Sequence, residues 1–214
     1  MTALQKSPDT RSRLLKLAGL AVAGAVVGYV SATLLAEYVI LPSPDLLRWS
    51  DAVALVVAVM LVAGGVSVLA ASRNGRALAA VTSTDEPADP REVRDMRLQG
   101  IVLALSGLLL AAPVAAALSG NTAPVMTLIA IAAVFVLHTG LNLSLWRRGD
   151  EMIRRVIVES GALAFWIGQA ALFGWAVAER LGVAPALTAW DILVVVMGLY
   201  LICSAVVGLR RGLS

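Results

Sequence analysis

The sequence predicts an all-α membrane protein, a bundle of six transmembrane helices with its N-terminus and C-terminus in the cytoplasm. Of the 214 residues, 59% are hydrophobic and 14% are charged, with a mean hydropathy of +0.87. Soluble domains carry about 25% charged residues. The apolar residues fall in long uninterrupted runs, which are typical of bilayer spans. The basic residues cluster at the ends of these runs, and this indicates an orientation.

Each apolar run has the length of one membrane crossing. At 1.5 Å of rise per residue, helices of roughly 19 to 24 residues match a hydrocarbon core of about 30 Å. An open β-sheet would leave backbone groups unpaired in lipid, and the runs lack the alternation of a barrel. The predicted spans cover residues 17–40, 52–72, 98–118, 123–146, 156–178 and 191–209.

The first span has a second interpretation. A basic tail, residues 1–16, precedes an apolar stretch and the small residues Ser31 and Ala32, a pattern typical of a secretory signal peptide. The apolar run continues to Leu41, however, and so exceeds the 7 to 15 residues of an ordinary signal core. We therefore favour a retained first helix.

Small residues form a stripe along this first span. Gly24, Gly28, Ala32 and Ala36 are spaced four residues apart. Such small-xxx-small spacing lets another helix backbone approach closely. The stripe predicts helix packing, either within the bundle or between two copies of the chain.

The distribution of basic residues predicts the orientation. Of 17 lysines and arginines, only Arg48 and Arg180 lie at one end of the spans. The positive-inside rule then places the tail 1–16, the loop 73–97 and the tail 210–214 in the cytoplasm. The loop 73–97, with its polar, proline-containing part, is predicted to be a flexible linker, with a partner-binding segment as the alternative. Residues 91–97 are predicted to extend the third span.

The hairpins share features that suggest three repeats. The second, fourth and sixth spans end alike, at Arg73-Asn74-Gly75, Arg147-Arg148-Gly149 and Arg210-Arg211-Gly212. The second and sixth also begin alike, with Asp51 and Asp191 near the helix start. Either the chain contains a threefold hairpin repeat, or these likenesses reflect general helix-ending chemistry, since arginine and glycine favour helix C-termini.

Four polar residues inside the hydrocarbon are the candidate site. His138 and Asn142 lie four residues apart on the fourth span and share a face, while Glu159 and Gln169 lie on the fifth. Counted from the cytoplasmic ends, their depths run from roughly 4 Å at Glu159 to roughly 19 Å at Gln169. If the two helices face one another, these residues form a polar ladder toward the midplane. The ladder is interpreted as a hydrogen-bond network, with a proton relay or half-site as the alternative.

No pattern in the chain predicts catalysis. His138 is the only histidine and Cys203 the only cysteine, so metal sites of several such ligands and haem held by two histidines of one chain are excluded. A haem shared by two copies, or a quinone enzyme, is a third hypothesis. We expect no cofactor, no metal and no nucleic-acid partner, because the basic residues form no aromatic-interleaved face.

The expected function is a non-catalytic assembly or regulatory module acting through helix packing. Its partners would be the lipid bilayer and either a second copy or another membrane protein. The alternative is a small-solute or proton-coupled transporter that uses the polar ladder. Arginine outnumbers lysine strongly, as in GC-rich bacteria, so the expected location is a bacterial plasma (inner) membrane.

Overall fold

The computed structural model of the chain describes residues 48–82, 86–120 and 122–211. These residues form helices and no strand: α1 (Trp49–Ala71), α2 (Gly75–Thr82), α3 (Pro90–Leu118), α4 (Pro124–Arg148), α5 (Glu151–Arg180) and α6 (Ala189–Arg210). Five of them, all but α2, are long and apolar enough to cross a membrane. The predicted all-α membrane class is thereby confirmed for this part of the chain.

The first predicted span, residues 17–40, lies outside the described residues, together with the tail 1–16 and the stripe of small residues. The other five predicted spans correspond in order to α1, α3, α4, α5 and α6. The count of six spans and the orientation in the membrane therefore stay predictions.

Helices α3 and α5 both begin before the apolar runs that predict them. The side chain of Asp89 accepts a hydrogen bond from the backbone N–H of Arg91 at 3.3 Å, and that of Asp150 accepts one from Ile153 at 2.7 Å. Such caps satisfy the free N–H groups of a first turn. The helices consequently continue into polar sequence, whereas hydropathy marks only the part that fits in lipid.

A short helix, α2, occupies part of the loop predicted to be a flexible linker. Asn74 starts it, because its Oδ1 accepts a hydrogen bond from the Ala77 backbone N–H at 2.7 Å. Leu78 and Ala79 are buried, and this burial gives the segment a reason to fold. Residues 91–97 are helical and continue into the membrane span within α3.

The most extensive helix pair is α1 with α3, and small residues form its contact. A Cβ atom added at Gly65 would lie 2.6 Å from the carbonyl oxygen of Gly100 and 2.7 Å from the backbone nitrogen of Ala104. One added at Gly107 would lie 2.5 Å from the carbonyl oxygen of Ala58. Glycine at these positions lets the two backbones approach more closely than any other residue allows.

The remaining helices extend this pair on both sides. Helix α6 packs on α1, α5 packs on α6, and α4 packs on α3. Ala54, Val114 and Val194 form a buried cluster shared by α1, α3 and α6, with Trp190 against it. The helices therefore pack in the order α4, α3, α1, α6, α5. Helices α4 and α5 are consecutive in sequence, but they lie at opposite ends of this order and do not pack along each other. None of the residues of α4 is buried by the described part of the chain.

Candidate functional site

His138 lies on the side of α4 that meets α3. Its Nε2 atom is 2.8 Å from the hydroxyl oxygen of Ser106, and that hydroxyl is also 2.8 Å from the carbonyl oxygen of Val102. The serine has one proton to donate. When it donates to the carbonyl, Nε2 of His138 must donate to the serine, and the side-chain nitrogen of Asn142 then has the His138 carbonyl oxygen, rather than Nε2, as its acceptor. A polar chain therefore links α4 to the backbone of α3.

Asn142 lies next to His138, one turn further along α4. Its side-chain nitrogen is 3.2 Å from the carbonyl oxygen of His138 and 3.0 Å from Nε2 of the ring. The asparagine is exposed, whereas the histidine is half-buried. The predicted pairing of these two residues on one helix face is present in the structure.

Glu159 pairs with a residue that the ladder hypothesis does not include. Arg211, just after α6, donates to Oε2 of Glu159 through Nε at 3.0 Å and through Nη2. Both side chains are well exposed at the arginine-rich end of the bundle. This ion pair ties the first third of α5 to the end of α6.

Gln169 lies alone on α5. Its side chain is exposed, and within the described ranges no hydrogen bond joins it to another residue. It is 18 residues after the start of a 30-residue helix, which places it within about 6 Å of the helix midpoint.

The structure thus brings together two of the four candidate residues. His138 and Asn142 form a network with Ser106 of α3, while Glu159 and Gln169 lie on α5, which packs on α6. The C-terminal end of α4 is joined to the start of α5 by Arg154, whose guanidinium donates to the carbonyl oxygens of Trp146 and Arg147. These neighbours depend on which helices pack together, and the positions of the spans in the sequence do not predict that.

A buried ion pair lies where α1 and α6 begin. Arg48 donates to Oδ2 of Asp191 at 2.7 Å, and the Asp191 side chain is 1% exposed while that of Arg48 is 49% exposed. The backbone N–H and the hydroxyl of Thr188 donate to the same oxygen at 2.8 and 2.7 Å. Two helix N-termini meet here, and their partial positive charge favours a carboxylate.

The hydroxyl of Ser50 and the second carboxylate oxygen of Asp191, Oδ1, are also buried at this place. The Ser50 hydroxyl lies beside the Asp191 carboxylate and is the donor available to it. The aspartates at the helix starts are visible in the sequence, and the spacing of Thr188 and Asp191 is that of a capping motif. The sequence gives no signal for the pairing with Arg48, because the two residues are 143 positions apart.

The described residues offer no multi-ligand metal centre, since no group of three or more His, Cys, Asp or Glu side chains converges there. What the arrangement provides is hydrogen bonding and ion pairing between helices. Comparison of the chain with protein families, curated proteins and solved structures finds no match.

Proposed function

We propose that this chain is a non-catalytic assembly or regulatory module of a bacterial plasma (inner) membrane, with six spans and both termini in the cytoplasm. It acts through helix packing, and the exposed side of α5 is the surface through which it associates with a second copy of itself. The observation that carries this proposal is the amide of Gln169 near the middle of a span, with which no residue in the described part of the chain pairs.

An amide in hydrocarbon needs a hydrogen-bond partner. Without water, each unsatisfied polar group costs several kcal/mol. Glutamine has two donor hydrogens and an acceptor oxygen, so two copies of one amide satisfy each other across a twofold axis. Polar side chains of this kind join membrane helices. A second copy therefore fits Gln169 better than lipid does.

The residues around Gln169 form a continuous surface, which we call the Gln169 face. Its members recur at helical spacing and are all exposed: Ala162, Phe165, Gln169 and Phe173. The buried residues of α5 are Ser160, Ala164 and Gly168, and they lie on a different side of the helix. The Gln169 face is thus left exposed by the rest of the described bundle.

Replacing Gln169 with leucine is expected to weaken self-association about tenfold. The change removes two symmetric hydrogen bonds, each contributing about 0.6 to 1 kcal/mol in a membrane. Energy transfer between two fluorescently labelled populations, measured in liposomes over a range of protein-to-lipid ratios, reports the dissociation constant.

The control is Gln99→Leu, the same substitution at an exposed position in the polar first third of α3. It should leave the energy transfer unchanged, and Gln169→Asn, which keeps an amide, should retain most of it. A wild-type chain that stays monomeric at every ratio, or an unaltered Gln169→Leu variant, contradicts association through this face.

A second candidate function is a small-solute or proton-coupled transporter. It is favoured by the bonded pair of His138 and Ser106, because a titratable ring inside a span often marks a proton path. The geometry supports it less well than assembly, since Glu159 is paired with Arg211 and lies apart from the His138 network.

Substitution at His138 distinguishes the two functions. Under the assembly proposal, His138→Ala lowers stability by about 1 kcal/mol through loss of its hydrogen bonds, and Glu159→Gln loosens the contact between α5 and the end of α6. Neither should alter proton flux into liposomes that contain a pH-sensitive dye. A proton-coupled uptake that both variants abolish while remaining folded would favour the transporter.

A further inference from the structure

A shallow cavity of about 440 Å³, largely open to the surroundings, lies at the arginine-rich end of the bundle, beside the start of α5. It is lined by Glu151, Arg154, Arg155, Val158, Glu159 and Arg211. Three of these residues are cations and two are anions, so the lining carries one excess positive charge. Val158 and the methylene stems of the arginines supply apolar wall, since long basic side chains carry such stems below a charged head.

Arg154 is the fixed cation of this cavity. Its Nε donates to the carbonyl oxygen of Trp146 at 3.1 Å, and its Nη2 donates to that of Arg147 at 2.8 Å. The guanidinium also lies over the Trp146 ring, 5.7 Å from the ring centre. In the part of the chain that the structure describes, no carboxylate pairs with it. Nη1 therefore presents an uncompensated, preoriented donor.

The other two arginines are held only by exposed ion pairs. Arg155 is 3.0 Å from Glu151 one turn away, with side-chain exposures of 64% and 82%. Arg211 pairs with Glu159, with side-chain exposures of 36% and 46%. Exposed pairs of this kind contribute little stability. An incoming anion can therefore take the Arg155 guanidinium from its carboxylate at small cost.

The residues around the cavity are of the types that favour the boundary between water and hydrocarbon. Arg154 and Arg155 lie in the first turns of α5, next to Trp146 near the end of α4. Tryptophan favours the depth of lipid headgroups. Basic pockets beside membrane helices bind anionic headgroups, whose phosphates accept several hydrogen bonds from guanidinium groups.

We propose that this cavity binds the phosphate group of an anionic phospholipid. Arg154 and Arg155 donate hydrogen bonds to the phosphate oxygens, while Val158 contacts the glycerol and upper acyl region. Arg211 stays on Glu159 and contributes its charge. A free phosphate ion shares the same recognition chemistry, but it leaves the apolar wall at Val158 unused, and this favours the lipid.

Lipid titration of the full chain tests the site. The purified protein in detergent is titrated with phosphatidylglycerol, and bound lipid is counted by native mass spectrometry. We expect saturable binding of phosphatidylglycerol over phosphatidylcholine. Arg154→Gln and Arg155→Gln should each weaken it about fivefold, as expected for one basic residue near an anionic headgroup. Arg154→Lys, which keeps the charge, should weaken it less.

The matched control is Arg180→Gln, which removes an exposed arginine from the opposite end of the same helix and should leave binding unchanged. Near-ultraviolet circular dichroism verifies that each variant is folded. Equal binding of both lipids, or equal loss in Arg180→Gln and Arg155→Gln, overturns the proposal. Displacement of phosphatidylglycerol by millimolar inorganic phosphate overturns the lipid as ligand, whereas its persistence supports the lipid.

Discussion

We expect Gly65→Ala to destabilise the protein by about 2 kcal/mol, whereas Gly64→Ala, one residue earlier, should be neutral or stabilising by up to about 1 kcal/mol. At Gly65 the added methyl group meets the backbone of Gly100 and Ala104 on α3, at 2.6 and 2.7 Å. Backbone atoms cannot rotate away, so the two helices must separate. At Gly64 no neighbouring atom of the described residues lies within 4 Å of the new Cβ.

The paired design separates packing from helix propensity. Alanine is a better helix former than glycine at both positions, so propensity alone predicts two similar, stabilising changes. Unfolding by SDS in mixed micelles, followed by far-ultraviolet circular dichroism, gives the free energy of unfolding for each variant. Gly107→Ala should resemble Gly65→Ala, because its Cβ would lie 2.5 Å from the carbonyl oxygen of Ala58. If Gly65→Ala and Gly64→Ala behave alike, the close contact between α1 and α3 is refuted.

The second large effect is expected from loss of the Arg48 guanidinium. In Arg48→Gln the carboxylate of Asp191 stays buried and retains the donors of Thr188 and the neighbouring Ser50 hydroxyl, but no cation. Removing one partner of a buried pair leaves an uncompensated charge and is strongly destabilising. We expect the ratio of unfolded to folded protein to rise about tenfold or more at a fixed SDS concentration.

A double variant tests whether the buried charge is the cause. Asp191→Asn in the Arg48→Gln background removes the unpaired charge while keeping the shape of the side chain, and it should restore part of the lost stability. Arg180→Gln, at the same end of the bundle, should have little effect because Arg180 is exposed. Equal stabilities of Arg48→Gln and Arg180→Gln would show that the pair contributes nothing.

The two proposals place different roles on one helix. We propose that the Gln169 face serves association within the hydrocarbon and that Arg154 and Arg155 serve lipid binding at the water boundary. Substitutions at the two places can therefore be read independently. Loss of self-association in Gln169→Leu with normal phosphatidylglycerol binding would place both roles on α5 without coupling between them.

For several contacts of the candidate site, the sequence identifies one of the two residues and gives no sign of its partner. Polar residues inside long apolar runs identify His138, Asn142, Glu159 and Gln169 as unusual, and their spacing pairs the first two. The partners Ser106 and Arg211 carry no such signal. They lie 32 and 52 residues away from His138 and Glu159, and they become neighbours only because α4 packs on α3 and α5 packs on α6.

By itself, the sequence determined the helical membrane class, the approximate bounds of the five described crossing helices and the arginine-rich end. Length, hydropathy and charge along one segment suffice for these, because a single helix satisfies its own backbone and meets lipid with its own side chains. Only the tertiary structure decided which helices touch, why Gly65 and Gly107 must be glycine, and that Arg48 reaches Asp191. Apolar helices resemble one another in composition, and lipid is as apolar as their surfaces. Close packing and a few polar contacts therefore determine which helices become neighbours.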